Sequence, residues 1–92
     1  MAIAVMAEIP GGTLEQYDRV TAAMGEEPSP GLLVHFAGIS DGRLFVVDVW
    51  ESREAYEKHL AKVRSIEAVG EAVAALPPFT HREFEIHRLV LR

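Results

Sequence analysis

Two β-rich runs, LLVHFAGIS and RLFVVDVWE, flank Asp41-Gly42, and no other feature constrains the fold of this chain as tightly. Asp-Gly supplies two residues that tolerate positive φ, the requirement of a two-residue type I′ turn, so the runs are predicted to form an antiparallel hairpin. Such a turn also sets the register. Ser40 then faces Arg43, and counting outward pairs Ile39 with Leu44, Ala37 with Val46, His35 with Asp48 and Leu33 with Trp50. One face carries His35, Asp48 and Trp50 among apolar residues. The other carries Val34, Phe36, Phe45, Val47 and Val49 and is continuously apolar, so it is expected to lie under helices.

The rest of the chain reads outward from this hairpin. Ala2 to Ile9 is a short apolar run stopped by Pro10-Gly11-Gly12, a strand and a turn. Thr13 with Gln16 fits a capping box, and Leu14, Tyr17, Val20, Thr21 and Met24 recur at helical spacing, giving a first helix to about Gly25. EEPSPG, residues 26–31, is a surface loop. Ser52 can cap a second helix whose stripe runs through Tyr56, His59, Leu60 and Val63 to Leu76, with a break possible between Ser65 and Gly70. Pro77-Pro78 stops it, and Phe79 to Leu91 alternates as a last strand.

Strand, helix, strand, strand, helix, strand is the ferredoxin-like plan: an α+β fold with a four-stranded antiparallel sheet and both helices on one face. With 92 residues the chain is expected to form a single domain, residues 1–92. If the helices cover one face, the other exposes Leu33, Ala37, Ile39, Leu44, Val46 and Trp50, a patch that calls for a partner. A homodimer formed through the sheet face supplies one.

Charge and composition remove several classes. The net charge is -5, with 14 acidic and 9 basic residues intermixed, so nothing forms a basic tract for nucleic acid or an anionic membrane. No run approaches the length of a membrane span, and the first residues lack a basic leader, so a cytoplasmic protein is expected. The chain has no cysteine, which excludes thiol nucleophiles and zinc-thiolate sites. Gly11-Gly12 is not part of a nucleotide-binding glycine motif, and there is no serine-nucleophile elbow.

The run from Phe45 to Leu60, FVVDVWESREAYEKHL, holds the densest chemistry: a strand ending in an acid and a tryptophan, then a serine-capped helix with an aromatic and a histidine. This junction resembles the dimeric α/β-barrel superfamily, especially its antibiotic-biosynthesis-monooxygenase-like branch. The resemblance extends to small proteins sharing Met6, Ala7, Pro10, Gly11, Pro30 to Leu33, His35, Gly38, Val46 to Tyr56, Phe84 and His87. It implies two ferredoxin-like subunits packed sheet to sheet. It also implies a cofactor-free oxidation of an electron-rich phenol or anthrone, with Trp50 as the pocket tryptophan and Tyr56 and His59 beside it. The polar amide such enzymes carry on the third strand has no counterpart, because Val46 stands four residues before Trp50. Haem-degrading relatives would use His59 as the iron ligand.

From the residues alone, His35 and Asp48 on neighbouring strands can hydrogen-bond and form a catalytic acid/base dyad, or equally a satisfied polar pair that fixes register. Trp50 can stack a small aromatic ligand or simply fill the core. Tyr56, His59 and His87 are the further candidates for substrate binding. Tyr56 and His59 otherwise pack on the sheet, and His87 otherwise sits on an exposed edge. His35, Asp48, Glu85 and His87 form only a weak candidate metal set, and no metal or cofactor is expected. His81 is expected to face solvent. Two functions stand: a cofactor-independent monooxygenase or cyclase for a small aromatic or polyketide-like molecule, and a non-enzymatic ligand-binding or structural homodimer.

Overall fold

A computed structural model describes all residues, Met1–Arg92. The elements are β1 (Ile3–Pro10), α1 (Leu14–Met24), β2 (Leu32–Ser40), β3 (Arg43–Trp50), α2 (Arg53–Arg64), α3 (Glu67–Ala74) and β4 (Thr80–Glu85). The strands form one antiparallel sheet in the order β2-β3-β1-β4. This is the ferredoxin-like arrangement, with α2 and α3 together taking the place of the second helix.

The hairpin forms as its turn chemistry requires. Asp41 and Gly42 have φ of 50° and 72°, the pair of positive values that defines the type I′ turn. Ser40 pairs with Arg43, Ile39 with Leu44, Ala37 with Val46 and His35 with Asp48. The last expected pair differs, because a bulge lies between Leu32 and Val34 and places Leu32 opposite Trp50. Leu33 is the extra residue, and it points to solvent.

The helices sit on the opposite face from the one expected. Tyr17 of α1 meets His35, and His59 of α2 packs on Trp50, so the His35 face is the one beneath the helices. Phe36, Phe45 and Val47 lie on the free face instead. The hairpin alone could not decide this, because both its faces are apolar. The neighbouring strand does: Ile3 and Ile9 of β1 pair with Trp50 and Leu44, whereas Glu8 pairs with Phe45. On β1 the bulkier aliphatics thus share a face with Trp50, and Glu8 lies on the other.

Helix ends follow their caps. Thr13 and Gln16 form the reciprocal capping box of α1, with bonds of 3.0 and 3.1 Å. Ser52 Oγ accepts from Ala55 N at 3.1 Å and starts α2. The helical stripe breaks at Ser65, whose hydroxyl donates back to Lys62 O at 2.6 Å, and α3 begins at Glu67. The last strand is shorter than its alternation suggests, because β4 pairs antiparallel with β1 and reaches the start of that strand at Glu85 opposite Ile3. Ile86 N donates to Ala2 O at 2.9 Å, and beyond it the chain finds no further ladder. His87 therefore lies outside the sheet.

Ile3, Trp50 and Tyr56 form the densest core cluster, joined by Val5, Leu32, Ala55 and Leu60. Only 10 of the 92 residues are buried, so the single chain leaves much apolar surface uncovered. Phe36 and Phe84 on the free sheet face are 51% and 52% exposed.

Candidate functional site

Alternation along β3 puts Asp48 and Trp50 on one face, and the hairpin register sets His35 beside Asp48. Above them, α1 contributes Tyr17 one turn after its cap, and α2 contributes His59 one turn after its first turn. The loop at residues 25–31 contributes Ser29. These elements enclose a cavity of about 800 Å³ between helices and sheet, lined by Tyr17, Ser29, His35, Asp48, Trp50 and His59 among mainly apolar neighbours. The His35 and Asp48 side chains are 35% and 22% exposed, so the cavity communicates with solvent.

A three-residue chain of hydrogen bonds crosses one wall. His35 Nδ1 bonds Asp48 Oδ1, and His35 Nε2 bonds the Tyr17 hydroxyl at 2.5 Å. An ionised carboxylate only accepts, so Nδ1 carries the proton, Nε2 accepts, and Tyr17 donates. The Tyr17 and His35 rings lie nearly parallel, 14° apart with centroids at 5.9 Å. Burial, followed by the negative charges of Asp48 and Asp18, pushes the Tyr17 phenol above its ordinary range. Tyr17 is thus a neutral donor at physiological pH.

The other wall is aromatic. Trp50 is fully buried, and its indole Nε1–H has no hydrogen-bond partner. A buried donor left unsatisfied costs about 1–3 kcal/mol. The His59 ring lies 4.7 Å from the Trp50 ring at 40°, and its Nδ1 shares a 2.7 Å hydrogen bond with Ser29 Oγ. Burial lowers the His59 pKa; the charge of Asp48 opposes this, while Lys62 and His35 add to it. His59 therefore stays neutral as it pins the loop to α2.

The structure gathers four of the six residues singled out from sequence, His35, Asp48, Trp50 and His59, around one cavity. Tyr56 is buried in the core with Ile3 and Trp50 and does not line it. His87 is exposed in the C-terminal segment beyond β4, away from His35. His35, Asp48, Glu85 and His87 do not converge, and no group of three or more potential ligands is assembled. His81 bonds Glu83 at 3.3 Å on the exposed edge strand. Two members of the site escaped the sequence reading. Tyr17 looked like one apolar position in a helical stripe, and Ser29 like one residue of a polar loop.

The comparisons with known proteins bear on the fold. No protein-family model matches the chain, and no curated protein sequence matches it. Solved structures do. A variant of SnoaB, a cofactor-independent oxygenase from Streptomyces nogalater, superposes with a TM-score of 0.74 at 16% identity, over 99% of this chain and 98% of that one. The ActVA-Orf6 monooxygenase of Streptomyces coelicolor, in complex with the ligand nanaomycin D, gives 0.66 at 25% identity over 99% and 91%. A dimeric ferredoxin-like protein from an uncultured marine organism gives 0.65 at 14% identity over 99% and 92%. The chain thus has the ferredoxin-like α+β fold seen in proteins of the antibiotic-biosynthesis-monooxygenase type. No helix is long and apolar enough to cross a membrane.

Proposed function

We propose that this protein binds a small aromatic, phenol- or anthrone-like molecule between its helices and sheet and catalyses its proton-coupled oxygenation or cyclisation without a resident cofactor. The observation that carries this reading is the solvent-connected cavity lined by the His35–Asp48 pair, with Trp50 and His59 among its walls. The pair is part-exposed at the cavity wall, so a ligand in the cavity would lie beside it. Asp48 orients the imidazole, His35 is the proton acceptor, and Trp50 and His59 provide an aromatic wall. The oxygenases that share the fold are consistent with this chemistry.

Val46 favours a second reading. It lines the cavity as an apolar residue where the resemblance to such oxygenases calls for an amide, and a site that only binds its ligand has no need of that amide. One experiment separates the two. Titration with 1,8-dihydroxyanthrone should quench the emission of Trp50, the one tryptophan in the chain, and should start oxygen uptake or product formation. Asp48→Asn should lower turnover by about 10²-fold or more while leaving the fold intact. Quenching without any reaction selects the binding reading, and no quenching at ligand saturation contradicts both.

The dimer is proposed through the free sheet face of Phe36, Phe45, Val47 and Phe84, whose exposed apolar side chains a second copy would cover.

A further inference from the structure

Both ring nitrogens of His35 are occupied, Nδ1 by Asp48 and Nε2 by Tyr17. A ligand hydroxyl therefore cannot reach the imidazole without displacing one of these partners. The tyrosine hydroxyl, by contrast, has given its single proton to Nε2 and keeps lone pairs free to accept another. Tyr17 lines the cavity, and its aromatic ring lies nearly parallel to His35 at 14°. Resting on the function proposed above, we infer that Tyr17 is the catalytic residue that touches the ligand, and that His35 and Asp48 act through it as a proton relay for a phenolic or enolic hydroxyl.

The step is a double proton transfer with no change of oxidation state. The ligand O–H breaks as its proton joins Tyr17 Oη, and the Tyr17 O–H breaks as its own proton joins His35 Nε2. One O–H bond and one N–H bond form where two O–H bonds break. The ligand is left as an oxyanion, Tyr17 is again a neutral phenol, and the imidazolium lies against the Asp48 carboxylate. Because burial and the charges of Asp48 and Asp18 disfavour a tyrosinate, Tyr17 passes its proton to Nε2 only as it receives the ligand's. The relay suits neutral ligands bearing an acidic hydroxyl conjugated to a ring, since His35 Nε2 takes up one proton.

The test uses 4-nitrophenol, whose phenolate alone absorbs in the visible, with binding followed separately by Trp50 emission. Bound to the wild-type protein, the probe should titrate at lower pH than in water, with about tenfold more phenolate relative to phenol in the transition range. Tyr17→Phe, which removes only the hydroxyl, should keep the quenching and abolish that gain. Asp48→Asn should reduce the gain by leaving the imidazolium unsupported. Equal phenolate in wild type and Tyr17→Phe, both saturated with probe, would overturn the relay while sparing the cavity as a ligand site. Failure of the probe to quench Trp50 at saturation would overturn the cavity reading and the relay with it. The free protein gives an independent check: nitrogen-15 shifts should show His35 protonated at Nδ1 with Nε2 as an acceptor, and Tyr17→Phe should move the Nε2 signal. A proton found on Nε2 would overturn the relay without any ligand.

Discussion

At the residue scale, the readable part of the site is the part that neighbouring strands specify. His35 and Asp48 face each other because a two-residue turn fixes which residues can, and the partnership follows from counting. Tyr17 was not legible, because α1 and β2 are joined by a loop whose length sets no register between them. His59 was legible as a helical position, but its pairing with Ser29 depends on the fold of that loop. His59 also carries a prediction about pH. Its folded pKa is lowered, so below the ordinary imidazole value of about 6.5 the unfolded chain binds the extra proton more readily. Its contribution to stability is therefore complete above that value and shrinks as pH falls through it. Urea midpoints measured across this window should drop for the wild type, and the drop should be smaller for His59→Phe, which keeps a ring against Trp50. Parallel curves for the two proteins would contradict the assignment.

At the element scale, caps and turns were readable because each rests on neighbours in sequence: Thr13 with Gln16, Ser52 with Ala55, Asp41 with Gly42. Features set by partner strands were not. The bulge at Leu33 and the end of β4 at Glu85 depend on what lies alongside, and the choice of helix-bearing face depends on how β1 registers against β3. The loop between α1 and β2 is held by one such long-range constraint at Gly31. Its φ is +90°, its carbonyl accepts from Glu51 N at 2.8 Å, and a Cβ there would stand 2.5 Å from Ala55 Cβ. Gly31→Ala should therefore cost about 1–3 kcal/mol through overpacking, with a further loss from the left-handed backbone. It should also weaken ligand binding, since this loop carries Ser29. A denaturation midpoint unchanged from wild type would show that the loop and the first turn of α2 are not packed as described.

At the scale of the whole molecule, the plan of strands and helices was legible because every element announces itself by period and punctuation, and the ferredoxin-like order follows. Which face of the sheet stays free was not legible from a hairpin apolar on both sides. If the free face forms the proposed dimer, sedimentation should give a dimer for the wild type and a monomer for Phe36→Glu, which places a charge on an exposed ring position without touching the core. A wild type that stays monomeric at high concentration would contradict the proposed interface. The cavity itself lies inside one chain, so its ligand chemistry can be tested whatever the oligomeric state. The most direct measurement is the nuclear magnetic resonance of the Trp50 indole N–H, a single signal because the chain has one tryptophan. In the free protein this proton is buried without an acceptor. Titration with 1,8-dihydroxyanthrone should move the signal saturably as the ligand's rings pack beside Trp50 in the cavity, whereas a resonance unmoved at ligand saturation would contradict a ligand site between helices and sheet.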